Sequence, residues 1–370
     1  MIATADQEIL IYAPPHYIGN MGDRIVTKIL NNQFPQATFI YDNYFNFVFG
    51  NRTAKKKYLN PRNRKSTKKF ALFSREFSKF ILIGMDGVDG YYSLRESKFK
   101  IELASSIAQA GGASWIMNFS WNNSTINSSL LSALNDAQVA GVKFVARDSK
   151  SCKRLDAHGI KARVCSDLGF LITENRKISN IDSGVGRVQK KDFAILAPSY
   201  TFGKHRRQII GFAEMAISLR SQGITPVLFA SVTNLRKSDV VLAKRINRQI
   251  VRLDCASMPI YQDEQSLTEI LGQSCVVISG RMHVAIVALA HLIPPFVLEY
   301  QGKSSGLLSD VGLKTLVSEN VDISNLDIQN FIKNSSEYSE ILGSRIPIMK
   351  NEISNLLNEI INSVGAKVKD

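Results

Sequence analysis

The chain of 370 residues is poor in cysteine, with four in all: Cys152, Cys165, Cys255 and Cys275. None stands in C-x-x-C spacing, which argues against a disulfide framework and a zinc cluster and fits a reducing cytoplasm. No metal site is expected. Long apolar runs are also missing. A bilayer span needs ~18 apolar residues, and the longest candidate, residues 284–297, is interrupted by His291 and Pro294-Pro295. No basic stretch followed by an apolar core opens the chain, so no secretory signal is expected. Acidic residues are scarce beside basic ones, 32 against 46, giving a net charge of +14. Otherwise the composition, 45% hydrophobic and 21% charged, is that of a globular protein, and the length suggests two domains.

The positive excess is concentrated. Residues 51–79 hold Arg52, Lys55, Lys56, Lys57, Arg62, Arg64, Lys65, Lys68, Lys69, Arg75 and Lys79 against Glu76 alone. Aromatic residues flank the run: Tyr44, Phe45, Phe47 and Phe49 before it, Phe70, Phe73, Phe77 and Phe80 around its end. Three readings stay open: a solvated basic loop, docking on an anionic lipid surface, and nucleic-acid binding. On lipid, each Lys or Arg is worth about 1 kcal/mol and aromatics add anchoring. Nucleic acid is the weakest reading, because no DNA- or RNA-binding motif accompanies the charge.

Apolar runs and glycine or proline punctuation alternate along the chain. Strands are expected at residues 8–12, 38–41, 80–83, 113–118, 143–146 and 163–165, with helices at 24–32, 99–110, 128–140 and 149–158 between them. Residues 174–191 are polar and read as a linker. A second series follows, with strands at 193–198, 226–230, 275–279 and 295–298. Its helices fall at 206–222, 235–250, 267–271 and 281–292. The expected fold is α/β: two Rossmann-like domains facing across a cleft, residues 1–180 and 190–345. A terminal helix, 346–370, packs back on the first domain. Ligands of such sheets bind outside the carboxyl ends of the strands.

Five turns at strand ends carry candidate chemistry. Gly19-Asn20-Met21-Gly22-Asp23 lies between the first strand and first helix, where glycines permit close approach and helix amides favour an anion. Asp23 reads equally well as a helix cap. Gly84-Met85-Asp86-Gly87-Val88-Asp89-Gly90 offers Asp86 and Asp89 as acceptors or bases, or as plain turn residues. Arg147-Asp148 opens a helix, and a salt-bridged helix start explains it slightly better than ligand binding does. Ser279-Gly280-Arg281-Met282-His283 is the strongest. Its Arg281 and His283 occupy a first helical turn, where the dipole disfavours cations. An anion would offset that cost, Arg281 gripping it and His283 moving a proton near neutral pH. Glu299 and Lys303 follow the next strand, as a further carboxylate and a further cation.

Residues 278–313, ISGRMHVAIVALAHLIPPFVLEYQGKSSGLLSDVGL, resemble the closing signature of the polysaccharide pyruvyl transferase family. Gly19-Asn20-Met21-Gly22-Asp23 is similar to its N-x-G-D element. Arg147-Asp148, Ser151 and Asp167 are similar to its R-D-x-x-S and following elements. Gly84-Met85-Asp86-Gly87 stands where the family has a run of glycines. The family arginine after the first strand of the second domain is replaced by Ala197-Pro198-Ser199-Tyr200-Thr201. Ser199 marks that turn, and Lys204, His205 and Arg206 are the nearest basic residues.

The resemblance implies a fold similar to the GT-B glycosyltransferases, no cofactor, phosphoenolpyruvate as donor and a sugar hydroxyl pair as acceptor. It implies that Gly280, Arg281, Met282, His283 and, with less specificity, Lys303 meet the donor. His283 is then the general acid, with Asp23, Asp86 or Glu299 as base. Asn20, Gly22, Arg147 and Ser199 are the remaining candidate substrate contacts. The acceptor implied is a lipid-diphosphate-linked oligosaccharide, met by a cytoplasmic enzyme lying peripherally at the inner face of the plasma membrane. Two other readings remain: a glycosyltransferase with a nucleotide-sugar donor, and a non-catalytic glycan- or lipid-binding relative.

Overall fold

The computed structural model describes residues 9–14, 19–42, 47–50, 77–122, 126–172, 193–233, 238–253, 255–299, 303–318 and 328–363. Most of the basic run, 51–76, and the expected linker lie outside the described residues. The chain divides into two compact units. The described parts of Met1–His16, Val26–Leu168 and Asn351–Asp370 make the first, and those of Tyr17–Ile25 and Gly169–Lys350 the second.

The first unit is built on seven strands: β1 (Ile9–Ala13), β2 (Thr38–Asp42), β3 (Phe47–Gly50), β4 (Lys79–Met85), β5 (Ala113–Phe119), β6 (Lys143–Ala146) and β7 (Ala162–Val164). Their order is β3-β2-β1-β4-β5-β6-β7. All pairs are parallel except β2 with β3. Helices α1 (Met21–Gln33), α2 (Leu94–Gln109), α3 (Ser128–Val139) and α4 (Ser149–Asp156) lie between strands in the chain. The central strands are apolar on both faces, as parallel strands covered by helices must be. Phe80, Ile81 and Leu82 of β4 have no exposed surface.

The second unit has six parallel strands: β8 (Phe193–Ala197), β9 (Thr225–Phe229), β10 (Ile260–Tyr261), β11 (Ser274–Ser279), β12 (Pro295–Leu298) and β13 (Val317–Ser318). Their order is β10-β9-β8-β11-β12-β13. Its helices are α5 (His205–Ser221), α6 (Asp239–Arg252), α7 (Glu264–Leu271), α8 (Met282–Ala290), α9 (Lys303–Val311) and α10 (Ile328–Lys333). In α8 every residue from Val284 to Leu289 is buried, so this helix is apolar all round and sits inside the unit. Each such Val, Ile or Leu side chain contributes about 1.5–3 kcal/mol.

Helix α11 (Ser335–Asn362) ends the described chain. Its last turns pack on the first unit, where Ile353, Leu356, Leu357 and Ile360 are buried. Lys79 Nζ donates to the carbonyl of Ile361, and burial holds that ammonium below the usual lysine range. Glu359 pairs with Lys143 at 3.1 Å and Arg163 at 2.8 Å. The strand order reverses direction between β1 and β4 in one sheet and between β8 and β11 in the other. The carboxyl ends at such reversals are where α/β sheets bind ligands.

Candidate functional site

At the reversal of the second sheet, β11 turns into α8 through Ser279-Gly280-Arg281. Ser279 Oγ accepts from the Arg281 amide and donates to its carbonyl, both at 2.9 Å. The Gly280 amide donates to Ala197 O at 2.9 Å. A β-carbon at Gly280 would fall 2.9 Å from Cβ of Ser199, so glycine lets the turns after β8 and β11 touch.

The helices flanking this reversal begin unusually. Side chains of Ser93, Asn127, Asp148, Ser238 and Asp263 cap α2, α3, α4, α6 and α7. Helices α8 and α5 instead have Arg281 and Lys204 at the cap position, with no side-chain cap bond. Lys204 reaches that position in the left-handed region, at φ 45°. First-turn amides without a cap are a ready anion site. The Ser199 hydroxyl, buried beside this turn, has no hydrogen-bond partner among the described residues. Ser199 is otherwise held by Gln208, which accepts from its amide and donates to its carbonyl. His205 bonds Tyr200 O at 2.8 Å.

The Arg281 guanidinium is already engaged. Nε donates to Asp239 Oδ2 at 2.9 Å and Nη2 to Oδ1 at 2.5 Å. Asp239 is fully buried, and its carboxylate also accepts from the amides of Tyr200 at 2.8 Å and Val232 at 2.9 Å. One carboxylate thus ties together the loops after β8, β9 and β11. The expectation that Arg281 presents its whole fork to an anion gives way to a narrower one. The edge carrying Nη1 has no hydrogen bond among the described residues, and 15% of the side chain is exposed. Asp239 was not among the sequence candidates. Its only local signal, Ser-Asp before an apolar helix, reads as an ordinary helix start.

The Gly19–Asp23 turn belongs to this same unit, although chain order puts it in the first domain. Asn20 forms an antiparallel bridge with Val232. The Met21 amide donates to Ser231 O at 3.1 Å, and the Thr233 amide to Gly19 O at 2.9 Å. Arg24 pairs with Glu264 at 2.8 Å. Asn20 caps α1, its Oδ1 accepting from the Gly22 amide and its Nδ2 donating to Asp23. Gly22 lies directly against His283, since a β-carbon there would fall 2.2 Å from the ring Nδ1. Asn20, Gly22, Asp23, Ser199, Gly280, Arg281, Met282 and His283 therefore share one unit. Glu299 joins them after β12, the neighbour of β11. Its Oε1 accepts from the Ser305 amide at 2.9 Å, at the start of α9. Its Oε2 is buried without a partner among the described residues, an uncommon state for a carboxylate oxygen. Lys303 opens α9, and its side chain lies outside the described residues.

Asp86 and Arg147 belong to the other unit, at the reversal of the first sheet. Arg147 is 3% exposed. Its Nε donates to Ser120 Oγ at 2.8 Å, Nη1 to Asp167 at 3.1 Å and Nη2 to Asp86 at 2.6 Å. Burial, the largest single effect, works against its charge. Asp86, Asp167 and Asp148 outweigh burial, and its pKa is raised. Arg147 is an interior strut holding Asp86 in place. Asp148 caps α4, accepting from the Ser151 amide at 2.7 Å. Met85 and Asn118, at or beside the ends of β4 and β5, both adopt positive φ, 45° and 54°. Such strain gathers at sites whose surroundings over-determine the backbone. Among the described residues no cluster of His, Cys, Asp and Glu could hold a metal ion, and no helix is long and apolar enough to cross a membrane.

Two α/β units, each with a reversal of strand order in its sheet, define a two-domain Rossmann-like fold, and solved structures agree. The chain is similar to a glycosyltransferase from Rickettsia africae, with TM-score 0.64, 11% identity, and 97% and 100% of the two chains covered. It is similar to UDP-GlcNAc 2-epimerase from Neisseria meningitidis, with TM-score 0.56, 10% identity, and 94% and 100% covered. A trehalose 6-phosphate synthase from Burkholderia multivorans matches with TM-score 0.52, 9% identity, and 96% and 97% covered. At these identities the likeness is one of fold, the GT-B type. The family model for polysaccharide pyruvyl transferase matches residues 20–302, and the chain belongs to that family of transferases. No curated protein matches the chain.

Proposed function

We propose that the protein transfers pyruvate from phosphoenolpyruvate to two hydroxyls of one sugar in a lipid-linked polysaccharide repeat unit, forming a cyclic ketal and releasing phosphate. The observation that carries this reading is the uncapped start of α8, with Arg281 and His283 mounted on it. Phosphoenolpyruvate bears a phosphate and a carboxylate, and needs two anion subsites. Because Asp239 neutralises Arg281, charge alone does not suffice there. The first-turn amides of α8 and α5, which no side chain caps, and the Nη1 edge of Arg281 supply the rest, together with Lys204 and Arg206 at the start of α5 and Lys303 at the start of α9.

His283 delivers a proton to the methylene carbon, leaving an oxocarbenium-like centre that one sugar hydroxyl attacks. The second hydroxyl then displaces phosphate. Glu299, Asp23 or Asp86 receives the proton of the first hydroxyl, and the buried Oε2 of Glu299 favours Glu299; the proton of the second hydroxyl leaves with the phosphate, and the base's proton returns to His283 through solvent. No cofactor is required by this sequence of steps. Acceptor-dependent phosphate release from phosphoenolpyruvate, with an acceptor heavier by one pyruvate ketal, tests the reading. Release of nucleotide from a nucleotide sugar, with none of phosphate, would overturn it in favour of a glycosyltransferase. Neither release, with glycan binding intact, would leave a non-catalytic relative.

A cytoplasmic enzyme with such an acceptor works at the inner membrane surface. The basic residues from Arg52 to Arg75 support this, Lys79 and its flanking Phe77 and Phe80 being buried instead, as does one face of α6. There Val241, Lys244, Arg245, Arg248, Val251 and Arg252 are exposed at helical spacing with no carboxylate among them. Flotation with phosphatidylglycerol vesicles measures it, and binding unchanged after neutralising Lys55, Lys56, Lys57, Lys68 and Lys69 would refute a role for the run.

A further inference from the structure

We infer that Tyr91 and Tyr92, on the turn after β4, form an aromatic platform for a neutral pyranose ring. The biological acceptor it would serve rests on the function proposed above; the binding itself does not. Tyr91 is 54% exposed and Tyr92 58%. Their rings meet edge to face, with centroids 5.1 Å apart. Leu94, 37% exposed, follows on the same turn. The other exposed apolar side chains of this unit, Val139, Val164 and Ile361, stand singly among its described residues. Isolated exposed apolar residues are ordinary, whereas a contiguous aromatic pair on a surface marks a contact.

The pair is rigidly mounted. Asp89 is 2% exposed; its Oδ1 accepts from the Tyr91 amide at 3.0 Å, and its Oδ2 from the amide and side chain of Asn122. Gly90 bends the chain at φ +80° and donates to Ser97 Oγ, which donates to Gly87 O. Val88 is buried beneath. Two tyrosines with few rotatable bonds, fixed at the root, present ring area at low entropic cost. A turn built only to connect a strand and a helix has no use for exposing them.

Position and charge select the occupant. The turn leaves the carboxyl end of β4 at the strand reversal, where ligands of this fold class bind. It also holds Asp86, whose side chain is 32% exposed and fixed by Arg147. Residues 84–93 contain two carboxylates, and the cations beside them are engaged: Arg147 pairs with Asp86, and Lys100, whose Nζ lies against Gly87, sits over the Tyr12 ring at 5.4 Å, which suits a neutral ring better than a phosphate or nucleotide. The axial C–H groups of a pyranose pack on the negative face of an aromatic ring, while a hydroxyl at its rim meets the exposed Asp86 carboxylate. The platform thus assigns the first sheet to sugar recognition.

Saturation-transfer NMR on the full chain, with methyl glucopyranoside, galactopyranoside, mannopyranoside and N-acetylglucosaminide as probes, tests the inference without phosphoenolpyruvate or turnover. Saturation should concentrate on the C–H protons of one ring face. It should fall about fivefold or more in Tyr91→Ala/Tyr92→Ala and persist in Tyr91→Phe/Tyr92→Phe. Unchanged melting temperatures establish that both variants fold. Equal saturation in the alanine variant, equal loss in the phenylalanine variant, or no saturation with any probe would overturn the platform. So would an alanine variant whose sedimentation changes while its saturation does not, since the tyrosines would then pack protein. Absent phosphate release with intact saturation would instead count against the proposed transfer alone.

Discussion

Gly22→Ala is the sharpest test of the site, because local and tertiary physics predict opposite signs. Gly22 is the second residue of α1 and does not need a positive φ. Judged locally, alanine would stabilise the helix by up to about 1 kcal/mol. In the folded unit, however, its methyl carbon falls 2.2 Å from Nδ1, 2.4 Å from Cγ and 2.7 Å from Cε1 of His283. Ordinary contacts are near 3.5 Å, so the intrusion is about 1 Å. Rotating the imidazole about its own bond does not clear Cγ, which is the pivot. Either the whole ring swings away or the first turn of α1 lifts off the bridge at Asn20 and Val232. Overpacking of this kind costs about 1–3 kcal/mol, and a 1 Å misplacement of a reacting group costs about a hundredfold in rate.

The expected result is a melting temperature lowered by about 2–4 °C per kcal/mol, with kcat/KM for phosphoenolpyruvate down about a hundredfold. Because the clash needs the ring, the same substitution in a His283→Ala background should be neutral or stabilising. The thermodynamic cycle should then report a coupling of about 1–3 kcal/mol. A Gly22→Ala protein that melts at or above the wild type with full activity, or a destabilisation equal in both backgrounds, would refute the close approach and the proposed positioning of His283.

Asp239→Asn keeps the shape but leaves Arg281 half-buried without its counter-charge. Breaking a buried pair costs about 3–5 kcal/mol, and the low end is expected because 15% of the arginine side chain is exposed. The KM for phosphoenolpyruvate should rise more than kcat falls, whereas a drop in melting temperature with unchanged KM would make Asp239 a structural residue only. Glu359→Gln tests the attachment of α11 to the first unit by pH. Hydrogen bonds from Lys143 and Arg163, with their charges, outweigh burial and hold the Glu359 carboxyl below its ordinary range. Its contribution is therefore present above the unfolded carboxylate pKa and is lost as pH falls through the depressed one. The exposed geometry limits it to about 1 kcal/mol or less. Melting curves of the two proteins should differ slightly at neutral pH and converge in acid; a gap that widens in acid would contradict the sign.

What could be read from the sequence follows from where the signal resides. The inner strands announced themselves as unbroken apolar runs ended by glycine or proline, as at residues 80–83, 193–198 and 275–279. Strands β10 and β13, two residues each, hold no such pattern and exist because a neighbouring strand offers a paired edge. Helix α2 begins at Leu94, ahead of the expected 99, because the Ser93 cap starts it within a polar stretch that lacks apolar period. Helix α9 was hidden for a similar reason, its glycine and serines reading as loop. The site divides along the same line. Arg281 and His283 were conspicuous because cations at a helix start violate a local rule, and a violation calls for a non-local cause. Asp239, Asn20 and Gly22 satisfy local rules, as an acid in a first helical turn, a helix cap and a glycine near a turn. A sufficient local explanation conceals the distant partner, whether Arg281 for Asp239, Val232 for Asn20 or His283 for Gly22. Arg147 is the opposite case. Its position at a strand end is that of a ligand contact, and the carboxylates that enclose it, Asp86 and Asp167, come from turns far along the chain on either side.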